Sequence, residues 1–290
     1  MWQIVLANFL VITTCSIGIW ANLRLCWKLF KITPYTKYIQ WHTMAKGLSN
    51  VATMLVFAGI QIPTMIMNCS VYPEIVYRYG GALAGLTMIP ARLNQLCLSF
   101  GTCYIAFFPF RQISDVILYS SMGFAAILGL AIFSIRIQSE QCSFEFLAST
   151  FAWTYSDGKC AQIVVDFVFY GIKFQIYSGY FANFLTFTKI CVDVLKKKSF
   201  VGNQELANRL RKTKIRLAQC VIQDFPFLID VTVQFGHELR RGNYSDLGFL
   251  LPFLFNTLFW NIGHTVDGLT MLFMLNVTKK VVRIEDSNSN

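Results

Sequence analysis

The sequence predicts an all-α membrane protein, a bundle of seven transmembrane helices. Seven long apolar stretches are present, and about 20 mostly apolar residues suffice to cross the hydrocarbon core of a bilayer. Charged residues make up only 14% of the 290-residue chain, where a soluble domain carries about a quarter, and mean hydropathy is +0.50. Lysine and arginine collect on alternate connections between the stretches. Inside lipid the backbone must satisfy its own hydrogen bonds, so runs of this length are helices.

Span 1 is expected at residues 2–28. It lacks a basic leader and an A-x-A-like cleavage site, and its apolar part is too long for a signal peptide. Span 2 is expected at 38–67. Lys46 lies in its inner third and is expected to snorkel toward the cytoplasm on its long stem. Span 3, at 80–108, carries Arg92, Gln95, Ser99 and Thr102 at three- and four-residue steps, which puts them on one helical face. Arg92 is about 18 Å from the outer end of that span, at about 1.5 Å per residue. Span 4 is expected at 116–135 and span 5 at 163–191.

Span 6, at 217–235, places Gln219, Gln223, Asp230 and Gln234 on one face, with Asp224 about 100° away from it. Span 7, at 247–276, lines up Asn256, Trp260, Asp267 and, loosely, His264. Three inward polar stripes predict a water-accessible crevice between helices, because ionisable groups in a membrane face the bundle interior. Pro63, Pro90, Pro226 and Pro252 imply kinks, and Pro226 would make span 6 a bent lever. With no internal repeat and no Pro-, Gly- or Ser-rich linker, residues 1–290 read as one domain.

The net charge of +10 is a matter of orientation, not of nucleic acid. Arg24, Lys28, Lys31, Lys37, Arg111, a run from Lys196 to Arg216, and Lys279, Lys280 and Arg283 fall on one set of connections. The other set holds only Arg78, Arg136, Lys159, Arg240 and Arg241. Excess basic residues mark the cytoplasmic side, so the amino terminus is expected outside and the carboxyl terminus inside. The 196–216 cluster reads equally as attraction to anionic lipid and as a docking surface for a cytosolic partner.

Cys69, Cys142 and Cys160 lie on outer connections, where oxidation is permitted; they allow one bridge, and spacing does not choose the pair. The outer sequons at Asn68 and Asn243 are weak glycosylation matches, and the one at Asn276 faces the cytoplasm. No catalytic signature is present, and no cofactor is implied. His42, His237 and His264 are too scattered to predict a metal site. Two readings of Arg92 stand: an internal pair with Asp230 that fixes helix positions, or a planar fork for an acidic ligand. The internal pair is the weightier, since an unpaired buried charge is costly.

In order along the chain, "GIWAN" (Gly18 to Asn22), "AKGLSN" (Ala45 to Asn50), "YIAFFPF" (Tyr104 to Phe110), "CSFEFLASTFAWTYSDGKC" (Cys142 to Cys160), "QDFPFLID" (Gln223 to Asp230) and "LFWNIGHTVDGLTMLFMLN" (Leu258 to Asn276) resemble nematode serpentine chemoreceptors of class X or the related class XA. The likeness implies a rhodopsin-like receptor of the plasma membrane of sensory neurons, with a small-molecule ligand and a heterotrimeric G protein as partners. It implies ligand binding between the outer helix halves and an outward shift of the inner end of span 6. Candidate ligand contacts by face and depth are Arg92, Gln95, Asp230, Gln234, Trp260 and His264. Candidate coupling residues are Thr102, Arg211, Lys212 and Lys214.

Asp267 and Gly268 stand where rhodopsin-like receptors keep N/D-P-x-x-Y, here "DGLTM", and Asp267 is expected to knit spans 1, 2 and 7 through Asn22 and Asn50. The family's N-R-F-like triplet falls on Gly101, Thr102 and Cys103, so its arginine is missing. An almost absent outer terminus is consistent with a truncated chain. Two other readings are a small-solute transporter, disfavoured because the halves do not match, and a receptor relative that folds without signalling.

Overall fold

The computed structural model describes residues 2–31, 36–109, 111–156, 158–196, 204–238 and 253–288. Seven helices run through them. They are α1 (Trp2–Lys31), α2 (Lys37–Met67), α3 (Glu74–Phe107), α4 (Asp115–Gln138), α5 (Lys159–Lys196), α6 (Gln204–Glu238) and α7 (Phe259–Asn288), the last entered through a π-helical turn at Leu254–Leu258. Among the described residues α1, α2 and α4 are long and apolar enough to cross a membrane on length and composition alone. The other helices reach similar lengths but dilute their hydropathy with polar residues, such as Arg92, Asn94 and Gln95 on α3 and Asp267 on α7.

Local chemistry sets the ends. Ser114 caps α4 by accepting a hydrogen bond from the Ile117 amide, and Asp115 follows in the first turn, where the helix dipole favours a carboxylate. At its far end α2 stops on Asn68 in the left-handed conformation, φ 52°. Pro63, Pro90 and Pro226 each sit inside a continuous helix. Pro252 lies outside the described residues.

The helices close into a ring, with α1 against α2 and α7, α6 against α5 and α7, and α3 in the middle touching α2, α4, α5 and α6. The perimeter is apolar. On α5 alone Phe167, Tyr170, Phe174, Tyr177, Phe181 and Phe184 are all exposed at three- and four-residue steps. A soluble protein does not present a face of this kind, whereas lipid wets it.

Between α4 and α5 the chain forms an antiparallel hairpin of strands β1 (Phe144–Leu147) and β2 (Ala152–Tyr155). Phe144 pairs with Tyr155 and Phe146 with Trp153, so the period of two turns these four rings to one face. Phe151 closes the turn with a positive φ of 48°. A disulfide joins Cys142 to Cys160 and ties the base of the hairpin to α5, while Cys69 is free and exposed.

Candidate functional site: an aromatic cluster above a buried charge network

The hairpin is pinned onto one end of the bundle. Arg136, in the last turn of α4 and only 3% exposed, donates to the carbonyl of Gly81 at 3.0 Å and to the Tyr155 hydroxyl at 3.0 Å. Its guanidinium also lies 4.8 Å from the ring centre of Phe144. Gly81 must lack a side chain, because a Cβ there would strike the carbonyl oxygen of Phe144. From α7's entrance Thr257 donates to the Phe151 carbonyl at 2.7 Å.

Beneath the hairpin lies a cluster of rings. Phe57 sits 5.2 Å from Trp153 and 6.2 Å from Trp260, and Phe144 sits 5.4 Å from Trp153 and 5.7 Å from Trp260. Met54, Ile60, Tyr77, Phe146, Phe151 and Phe253 pack in the same cluster. Beside these rings Gln61 of α2 accepts from Asn261 of α7 at 3.0 Å, and Cys15 of α1 donates to Asn261 at 3.5 Å.

About two helical turns deeper along α7, roughly 10 Å at about 1.5 Å per residue, the interior becomes charged. Lys46 is 1% exposed and its ammonium lies 2.9 Å from Asp267 Oδ1. The contact is electrostatic, since no donor is aligned on that oxygen. Lys46 also donates to Gln95 Oε1 at 2.6 Å, and Gln95 Nε2 donates to Asp224 Oδ1 at 3.0 Å. The other Asp224 oxygen accepts from Asn183 of α5 at 3.1 Å. Asn50 donates to Asp267 Oδ2 and to Asn22 Oδ1, both at 3.3 Å, and its own oxygen is 2.8 Å from His264 Nδ1. Gln223 donates to the Asp267 carbonyl at 3.3 Å. Side chains of α1, α2, α3, α5, α6 and α7 thus meet in one connected, buried network.

Lys46 does not snorkel. Its stem reaches inward as readily as outward, and two carboxylates, Asp267 directly and Asp224 through Gln95, offset the cost of burying its charge. The sequence held a signal: Lys46 and Asn50 are one turn apart on one face, and a helix burying Asp224 or Asp267 needs a cation nearby. Gln223 and Asp224 are both buried despite pointing about 100° apart, because α6 has neighbours on two sides, α7 for Gln223 and α3 and α5 for Asp224.

The candidate residues separate by depth. Trp260 belongs to the aromatic cluster. Gln95 and His264 belong to the charge network, and the half-buried Arg92 exerts its field on Lys46, Asp224 and His264. Asp230 and Gln234 lie on α6, and their side chains, like that of Asn256, lie outside what the structure describes. Thr102 is buried, its hydroxyl turned back to the Leu98 carbonyl at 2.8 Å. At that end of α6 Arg211 and Lys214 are exposed and Lys212 is half-buried. A second buried histidine, His42, bridges Asn94 of α3 at 2.6 Å and Ser121 of α4 at 3.0 Å. Neither the hairpin nor the role of Arg136 is among the sequence expectations, although alternation of apolar residues between Phe144 and Tyr155 is the sequence signature of such strands.

Residues 12–275 match the profile of the serpentine type 7TM GPCR chemoreceptor family Srx. Among solved structures the fold is similar to that of squid rhodopsin, with a TM-score of 0.74 and 9% identity over 95% of this chain and 83% of that one. No curated protein matches the sequence.

Proposed function

The chain belongs to the Srx family of serpentine seven-transmembrane chemoreceptors, and from that premise we propose that it binds a small molecule in the hairpin half of the bundle and signals to a heterotrimeric G protein at the opposite end. It acts in the plasma membrane of sensory neurons. The hairpin faces outward, and the end bearing Lys37, Arg111, Arg211 and Lys214 faces the cytosol, in keeping with the placement of basic residues.

The observation that carries this reading is the buried network. It ties α6 and α7 to α2 and α3 through charges that lipid cannot solvate, and it lies between the aromatic cluster and the basic end. A ligand changes the receptor only by its differential affinity for two arrangements of such a network. Trp260, Arg92, Asp230 and Gln234 are the proposed ligand contacts, with Gln95 and His264 joining contact to network. Arg211, Lys212 and Lys214, with Thr102, are the proposed coupling set. The test is ligand-stimulated nucleotide exchange on a G protein in membranes carrying the receptor. A ligand that binds yet never stimulates exchange would sink the proposal.

Thr102 favours one other reading, a receptor relative that binds without coupling, because a short back-bonded hydroxyl occupies the place of the family's arginine. If Thr102→Arg brings no gain of exchange with a bound ligand, that reading is the better one.

A further inference from the structure

The inner end of α1 carries a stripe that faces out of the bundle. Trp20, Arg24, Trp27 and Lys31 follow one another at four-, three- and four-residue steps, which aligns them on one helical face. All four are exposed, Trp20 at 53% and Trp27 at 61%. The Arg24 guanidinium lies 5.8 Å from the centre of the Trp20 ring, and the Lys31 ammonium 4.3 Å from that of Trp27. Neighbouring basic side chains are already engaged: Lys28 donates to Asn276 Oδ1 at 2.9 Å, and Lys37 pairs with Asp115 at 2.6 Å. Arg24 and Lys31 make no ion pair and donate no hydrogen bond among the described residues.

Depth and direction set what these two cations meet. Residues 2–23 carry no charge and reach about as far as the hydrocarbon core is thick, so Arg24 marks the start of the headgroup layer. A long basic side chain at a helix end usually extends outward to water. Side chains lean toward the start of their helix, and here each cation lies back over the indole one turn nearer the middle of the bilayer. Their donors are thereby held at the level of lipid phosphates, where water is scarce and an anion is at hand.

We propose that this stripe binds an anionic phospholipid of the cytoplasmic leaflet. Arg24 takes the phosphate, Lys31 the outer part of the headgroup, and the acyl chains run along Trp20 and the exposed Leu23 and Ile17. A planar guanidinium grips a phosphate with two parallel N–H bonds. The indoles cover the apolar side of the contact and favour the same interfacial level. A zwitterionic headgroup would set its own cation against Lys31, whereas an anionic one does not. Anionic lipids are concentrated in the cytoplasmic leaflet, where the proposed orientation puts this end of α1. The site depends on neither a small-molecule ligand nor a G protein.

The experiment uses the full-length receptor in phosphatidylcholine nanodiscs, which present both leaflets. One set contains phosphatidylglycerol with brominated acyl chains, the other brominated phosphatidylcholine at the same fraction, and tryptophan quenching is read. Phosphatidylglycerol should quench more, and the Trp20→Phe, Trp27→Phe double variant should remove that excess. Arg24→Gln and Lys31→Gln should each lower the lipid preference about fivefold, as expected for one interfacial charge, and Arg24→Lys should keep part of it. Arg111→Gln, at a different inner connection, should leave it unchanged. Surface display of each variant reports folding, and if one is lost the other decides. Equal quenching by the two brominated lipids overturns the site. So does an excess that falls as much in Arg111→Gln as in Arg24→Gln, since attraction is then diffuse and belongs to the basic end as a whole.

Discussion

Removing the Lys46 ammonium should be among the most destabilising single changes in the bundle interior. At 2.9 Å from Asp267 Oδ1, an effective dielectric of about 20 gives roughly 6 kcal/mol of attraction. Desolvation of both groups, whose side chains are 1% and 2% exposed, cancels much of that. Lys46→Met therefore loses little net pairing energy but strands the Asp267 carboxylate, with Asn50 as its remaining side-chain donor at 3.3 Å. Stranding one member of such a pair costs about 3–5 kcal/mol. We expect about 3, near the lower bound, because Asn50 stays. Asp267→Leu should cost a similar amount by stranding the ammonium against Gln95. The double variant should return to within about 1 kcal/mol of the parent, since well-packed apolar replacements for a buried pair are close to neutral. The assay is thermal unfolding in detergent, read by thiol-reactive labelling of Cys15 and Cys220, both buried. Single losses that simply add in the double variant would refute the reasoning, because additivity means that the two groups do not interact.

Three further outcomes follow from the hairpin. Arg136→Met removes two hydrogen bonds and a ring contact, together about 2–3 kcal/mol, so amide exchange across residues 144–155 should quicken at least tenfold while that of α2 is unchanged. Gly81→Ala should lower display and melting, because its methyl meets the Phe144 carbonyl oxygen; Gly59→Ala, which meets nothing within 4 Å, should be neutral or stabilising by under about 1 kcal/mol. Cys142→Ser and Cys160→Ser should destabilise equally, by about 3 kcal/mol for a loop of this size, and Cys69→Ser should not; peptide mapping without reductant checks the pairing.

The helix bundle was legible because lipid imposes a single rule, that backbone groups be satisfied within a segment, and long apolar stretches are its direct trace. Periodicity also put Gln95, Ser99 and Thr102 on one face, and all three are buried. Depth and partner were harder to read. Lys46 sits where a long side chain can turn either way, and only the position of Asp267 on α7, more than two hundred residues away in sequence, decides which. Arg136 likewise reads as a connection residue until Gly81 and Tyr155 are brought to it. The hairpin is not legible in the sequence because its strands have four residues each, too short to stand out against the apolar background of the chain.

How the hairpin is held decides what can vary within it. Its anchors grip main-chain atoms: Thr257 takes the Phe151 carbonyl, and the Phe144 carbonyl rests on Gly81. Side chains add the rest: the Tyr155 hydroxyl accepts from Arg136, the Arg136 guanidinium lies on the Phe144 ring, and the Cys142–Cys160 disulfide closes the base. Substitutions at positions 146 and 153 would leave those fastenings in place while changing the chemistry presented to whatever lies below. Related chains could diversify there without rebuilding the scaffold.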